Sequence, residues 1–264
     1  MRAAEAAAAQ LPSGVPPSRS LSKWAGELVI FQNPVRYSVA WTLQLQCHAE
    51  RLSNRRADTL MLLEHLPVYT AGRGTRPAHL KSRGASSELA SIPIEAVNRG
   101  GSVTYHGPGQ LVGYPILALS RYAPGAKTYV HMLEEVLIRT LRHWNIHGYR
   151  LAKMPGIWVT DQKGVAKIVS IGARIDRGIT LHGFALNVMN DLRPFSDIVP
   201  CGLDGRRMTS LIEITGAQCN VPVVAECVAN EFSAVFGLEW AIKISQDSQT
   251  TVADSQPVGA IGDR

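Results

Sequence analysis

The sequence has no long hydrophobic run. Its longest strongly apolar stretch, Leu111 to Leu119, is interrupted by Gly113 and Pro115. That is about half of the ~18 residues a membrane-spanning helix needs, so no membrane is expected as a partner. Cysteine is scarce as well. The four residues Cys47, Cys201, Cys219 and Cys227 form neither a CxxC pair nor a dense framework, which removes zinc-finger, redox-motif and disulfide-scaffold readings and fits a reducing compartment. No internal repeat recurs at a fixed period, and no Pro- or Ser-rich linker divides the middle of the chain. The dinucleotide fingerprint GxGxxG is missing, and so is any Gly-Lys dipeptide on which to build a phosphate-cradling loop. Basic residues are scattered, with Arg55-Arg56 and Arg206-Arg207 as the only pairs. They do not interleave with aromatics, which disfavours nucleic acid as a partner.

What is present is the composition of a folding domain. Apolar residues make up 45% and charged residues 18% of 264, so the chain is neither disordered nor fibrous. Twenty-seven basic against 21 acidic residues leave a net charge of +6, which favours an acidic partner. Residues 1–25 read as a flexible N-terminal extension, with a transit peptide as the alternative because Glu5 is their only acid before Glu27. The first reading places the protein in the cytoplasm and the second in an organellar matrix. Residues 26–244 read as one catalytic domain, and 245–264 as a disordered polar tail.

Helical spacing predicts helices over 34–56, 127–146 and 222–237, the first starting from the Asn33-Pro34 pair and the last stopping at Gly237. Strand-like runs fall at 59–63, 92–97, 111–119, 156–160, 165–175, 180–188 and 238–244. Many strands with few helices predict an α/β fold: a single domain with a mixed β-sheet flanked by helices.

The densest special segment is Arg99-Gly100-Gly101-Ser102-Val103-Thr104-Tyr105-His106-Gly107-Pro108-Gly109-Gln110. Four glycines and a proline there mean a backbone that turns sharply or is closely approached. A hairpin turn is one reading, and a substrate loop carrying Arg99, Tyr105, His106 and Gln110 is the other. The role of His106 stays open between orienting substrate and holding the turn. Cys201 sits between Pro200 and Gly202 and off any helical apolar pattern, unlike the other three cysteines, so it is the candidate nucleophile. A thiol there needs a neighbouring cation to bring its pKa down from about 8.5. Lys167 and His182 are both candidates, and spacing does not choose between them.

Taken together these residues resemble the lipoyl(octanoyl) transferase family, the octanoyl-carrier-protein:protein N-octanoyltransferases. The resemblance covers most of residues 28–214. It rests on the runs from Glu64 to Arg73, Arg99 to Gln110, Ala166 to Gly172 and His182 to Asn187, and on Pro200-Cys201-Gly202 with Met208-Thr209-Ser210-Leu211. Ser102 departs from it, standing where the family usually has Gln. The resemblance implies a fold similar to biotin protein ligase and lipoate ligase catalytic domains. It implies that Cys201 becomes acylated with Lys167 as its partner. It further implies that Arg99, Gly100, Gly101, Ser102, Val103, Thr104, Tyr105 and His106, with Ser170, Ile171 and Gly172 and with Gly183, Phe184 and Ala185, line the substrate channel. The implied donor is octanoyl-acyl carrier protein. The implied acceptors are lipoyl domains of 2-oxo-acid dehydrogenase complexes and the glycine cleavage H protein. No metal or cofactor is implied. The rival readings are an ATP-dependent ligase of the same fold, a thioesterase, and a non-catalytic module holding an acidic partner.

Overall fold

The computed structural model describes residues 24–81, 91–199, 205–216 and 219–246. Among them a large mixed sheet runs in the order β12-β1-β2-β6-β10-β9-β8-β7. In chain order its strands are β1 (Trp24–Phe31), β2 (Asp58–Leu63), β6 (Gln110–Ile116), β7 (Tyr149–Leu151), β8 (Met154–Asp161), β9 (Gly164–Asp176), β10 (Ile179–Asn187) and β12 (Leu238–Gln246). The two-residue β11 (Arg207–Met208) adds to β9. A second sheet of three strands sets β3 (Val68–Ala71) between β4 (Ile94–Ala96) and β5 (Val103–His106). The mixed sheet with flanking helices is the architecture the strand count predicts. β1 is parallel to β2 and β12, while β2, β6, β10, β9, β8 and β7 alternate in direction.

Strand alternation divides the core in two. Leu60 and Leu62 of β2 face α2 (Ala126–Arg142) and α4 (Val221–Phe236), in a cluster that also takes in Leu133, Leu137, Val224 and Phe232. Met61 and Leu63 face the other way, toward Ala40 and Cys47 of α1 (Tyr37–Leu52). A strand covered on both faces reads as an unbroken apolar run rather than an alternating one, which is why 59–63 is legible as a strand. Val103, Tyr105, Tyr69, Phe195 and Ile198 form a third, smaller core under the second sheet.

The helix boundaries differ from the expected ones for local reasons. α4 matches, because the Asn220 side chain accepts from the Val223 N–H at 3.0 Å and Gly237 ends the helix at φ +65°. α1 begins at Tyr37, not at Pro34. The Val35 N–H is committed to Glu64 O at 2.8 Å and the Leu66 N–H to Val35 O at 3.2 Å, so residues before Arg36 are held in an extended bridge to the end of β2. α2 stops at Arg142 rather than 146, because three successive i→i−3 bonds tighten the chain and Asn145 turns it at φ +56°. The strand expected over 111–119 ends at Ile116, and Leu119–Arg121 forms a 3-10 turn. Strands β1, β3, β5, β7 and β11 carry no sequence expectation. β1 and β12 pair from Trp24 to Gln246, so strand structure extends just beyond residues 26–244.

Candidate active site

β9 and β10 bring two of the predicted segments side by side. Their antiparallel register sets Gly183 opposite Gly172, Phe184 opposite Ile171 and Ala185 opposite Ser170. Together with Lys167 these residues form one wall of a cavity of about 330 Å³, a volume suited to a small ligand. The glycine-rich segment forms another wall. Its Gly100 N–H donates to Ala173 O at 3.2 Å, and a Cβ at Gly172 would sit 3.0 Å from Arg99 Cδ and 3.1 Å from Gly100 O, so the bare Gly172 lets the loop and the Arg99 side chain lie close against β9.

Arg99 is the keystone of that loop. Its guanidinium donates to the carbonyls of Thr70, Gly100 and Ser102 and to Thr70 Oγ1, at 2.6 to 3.0 Å. Gly101 turns at φ +81°, and a Cβ at Gly72 would lie 2.5 Å from Gly101 O. The following residues alternate as β5. Thr104 and His106 line the cavity together with Arg99, Gly100 and Gly101. Ser102, Val103 and Tyr105 do not: Val103 and Tyr105 point into the small core, and the Ser102 hydroxyl lies 2.6 Å from His79 Nδ1.

The His106 ring is hydrogen-bonded through both nitrogens. Its Nδ1–H donates to Gln110 Oε1 at 2.7 Å and its Nε2 accepts from Thr70 Oγ1 at 3.3 Å, while Gln110 Nε2 donates onward to Asn187 Oδ1. Burial pushes its pKa well below the usual histidine value, so the ring is neutral, in agreement with that bonding. His182 is likewise neutral, lowered to about 3 by burial and by Arg99 and Arg174. Its ring stacks on Trp41 at 4.9 Å and its Nε2 meets Asn98 Oδ1 at 2.9 Å. The ring is thus packed and bonded, held well below the usual histidine range, and it lines the same cavity as Lys167.

Lys167 is 2% exposed, and its Nζ lies 5.3 Å from the centre of the Trp158 ring, within cation–π range. β11 runs alongside it, with Met208 opposite Lys167 and the Thr209 N–H donating to Lys167 O at 3.0 Å. Cys201 lies outside the described residues, within 200–204. Before those residues in the chain the Val199 N–H donates to His79 O at 2.8 Å, and after them Arg207 and Met208 join β9.

The cavity also takes in residues that carried no sequence expectation. Tyr129 and Val130 of α2, Ile175 of β9 and Met154 of β8 extend its apolar wall, and Tyr37 and Tyr114 close it near His106. Val130 was legible only as part of the apolar face of the helix expected over 127–146, Tyr129 was not singled out, and Tyr37 depends on where α1 docks. The hydroxyls of Tyr37 and Thr104 are buried without a hydrogen-bond partner among the described residues. Among those residues no cluster of His, Cys, Asp and Glu could hold a metal, and no helix is long and apolar enough to cross a membrane.

Residues 36–233 match the family model of the lipoyl protein ligase A/B catalytic domain. An octanoyltransferase of Thermosynechococcus vestitus is 44% identical over 214 residues, covering 81% of this chain and 91% of the relative. One from Chloroflexus aurantiacus is 42% identical over 212 residues, covering 80% and 94%. Among solved structures, a bipartite lipoate protein ligase from Thermoplasma acidophilum superposes with a TM-score of 0.62 at 15% identity, covering 84% of this chain and 88% of that one. A lipoate-protein ligase A bound with ATP gives 0.57 at 15% identity, covering 83% and 89%. At those identities the solved structures share the fold.

Proposed function

Since the chain belongs to the lipoyl protein ligase A/B catalytic family, among its octanoyltransferases, we propose that it moves an octanoyl group from acyl carrier protein to a lysine of a lipoyl domain through an acyl-Cys201 thioester. The acceptors are the lipoyl domains of 2-oxo-acid dehydrogenase complexes and the glycine cleavage H protein. The observation that carries this reading is Lys167: a buried lysine on the wall of the cavity, with the strand that follows Cys201 in the chain paired against it.

The chemistry needs no nucleotide. A lysine ammonium beside a thiol favours the thiolate. The Cys201 thiolate attacks the carbonyl carbon of the octanoyl thioester, a new C–S bond forms, and the carrier's thiolate leaves with a proton from Lys167. One thioester replaces another, so the step is close to balanced in energy. The acceptor amine then attacks octanoyl-Cys201, the C–N bond forms, the Cys201 sulfur leaves, and neutral Lys167 takes the proton from the amine. The amide is the more stable product, which drives the second half-reaction. The apolar wall of Val130, Met154, Ile171 and Phe184 suits the alkyl chain, each buried methylene contributing about 0.8 kcal/mol.

Intact-protein mass spectrometry after mixing the chain with octanoyl-acyl carrier protein in the absence of ATP tests the reading. One octanoyl adduct is expected, absent from Cys201→Ala and passed on to an added lipoyl domain as an amide. Lipoyl-domain modification by Cys201→Ala at the parental rate would sink the covalent mechanism. Release of free octanoate instead of amide would make the enzyme a thioesterase, and a requirement for ATP would make it a ligase.

A further inference from the structure

Lys167 rests against a residue that has no side chain. A Cβ on Gly156 of β8 would lie 2.7 Å from Lys167 Cε and 3.3 Å from Nζ, and 2.2 Å from Val169 O. Gly156 turns at φ +113°, a conformation side-chain-bearing residues rarely adopt. The pairing of β8 with β9 slips just beyond it: Ile157 faces Val169 but Trp158 faces Lys167, so Ile168 is an extra residue in β9. A bulge of this kind re-aims the side chains beside it. Here it sets Lys167 between the Gly156 backbone and the Trp158 ring, which is fully buried and itself held by its Nε1–H donating to Met154 O at 3.1 Å.

Gly156 precedes the paired residues of β8 and β9, and its N–H donates instead to Glu134 Oε1 of α2, at 3.2 Å. Glu134 is buried, and its other oxygen accepts from Arg150 Nε at 3.1 Å and lies 3.0 Å from His131 Nδ1. The two carboxylate oxygens thus have separate tasks. Oε2 is tied to the helix surface and to β7, and Oε1 fixes the amide of the one residue whose bareness makes room for Lys167.

We infer that Glu134 is a positioning residue for Lys167, acting through the Gly156 amide. The inference rests on the proposed pairing of Lys167 with Cys201. Glycine has the freest backbone of any residue, and without the Glu134 acceptor Gly156 relaxes and Lys167 loses the surface that aims its ammonium. A displacement of about 1 Å in a catalytic group can lower a rate by about a hundredfold.

The rate of iodoacetamide alkylation at Cys201 at neutral pH reads the pairing without depending on turnover, and it is measurable in every variant. Lys167→Ala is expected to slow it. Glu134→Ala is expected to slow it about tenfold with Lys167 present and not further in the Lys167→Ala background, the signature of two residues acting as one unit. Glu134→Gln keeps a carbonyl acceptor for the Gly156 N–H and is expected to recover to within about threefold. If Glu134→Ala does not fold, Glu134→Asp, which keeps the charge for Arg150 but draws back from Gly156, is expected to behave as Glu134→Ala does. An unchanged rate in Glu134→Ala or Glu134→Asp with Lys167 present overturns the inference, and so does an equal loss in both backgrounds. An unchanged rate in Lys167→Ala overturns the pairing itself.

Discussion

The ring of Phe184 occupies the space that a side chain on Gly113 would fill. The two residues face each other across β6 and β10, and a Cβ on Gly113 would sit 2.1 Å from Phe184 Cζ and 2.4 Å from Cε1. Gly183 is bare for a related reason, since a Cβ there would lie 2.2 Å from Gly113 O. The glycine in the middle of a strand is therefore a packing requirement of the cavity wall, because Phe184 is both a core residue and a lining one.

Gly113→Ala should narrow the cavity before it unfolds the protein. The added methyl pushes the Phe184 ring toward the open side, at a cost of about 1 to 3 kcal/mol typical of overpacking. Turnover with octanoyl donor is expected to fall more than turnover with a hexanoyl donor. Equal losses on both chain lengths would mean that Phe184 does not bound the acyl chain.

Arg99 should tolerate no substitution, lysine included. Three carbonyls and a hydroxyl converge on one planar guanidinium, and an ammonium cannot present two donors to Thr70 while reaching Gly100 and Ser102. Arg99→Lys is expected to lower stability by about 2 kcal/mol or more, since buried carbonyls lose their donors, and to lower turnover with it because the loop is a cavity wall. Chemical denaturation followed beside activity checks this, and a variant of parental stability would refute the keystone role.

The local features of this candidate site were legible in the sequence, and those that depend on strand packing and on distant residues were not. The Arg99 to His106 segment declared itself through its glycines, and α4 through Pro222 and Gly237, because those signals are local. Of the residues from Arg99 to His106 expected along the channel, the cavity takes in Arg99, Gly100, Gly101, Thr104 and His106, and the two-residue period of a strand divides the last four residues. Val103 and Tyr105 fill one face of β5, and Thr104 and His106 meet the cavity on the other. Choosing between Lys167 and His182 from spacing was impossible, since Trp41 and Asn98, which pack and bond His182, arrive from distant parts of the chain. The Gly156 to Lys167 contact depends on a register slip between two strands, which no composition pattern encodes.

Alkylation should single out one cysteine. Burial pushes the Cys47 and Cys227 thiols up to about 11 and raises that of Cys219 as well, so all three are almost entirely protonated at neutral pH. Iodoacetamide at pH 7 is expected to add one label, mapped by peptide mass spectrometry to Cys201, with activity lost in step. A first label on Cys219, the more accessible of the three, with activity retained, would remove Cys201 as the activated thiol.

Acid should destabilise the fold before its carboxylates titrate. His65 donates through Nδ1 to Val35 O at 2.9 Å and accepts through Nε2 from Tyr114 Oη at 2.7 Å, and burial lowers its pKa to about 4. His106 and His182 are lowered too. A depressed histidine is neutral in the folded chain but takes up a proton below about pH 6.5 once unfolded. The unfolded state then binds more protons, so the stability present above pH 6.5 is lost as pH falls toward about 4 for His65 and about 3 for His182. Each histidine adds a slope approaching 1.4 kcal/mol per pH unit within its window. Urea unfolding at pH 7, 6 and 5 should show this loss, and His65→Gln, whatever its stability at pH 7, should show a shallower one. Stability that stays flat from pH 7 to 5 would mean that these rings are not held neutral.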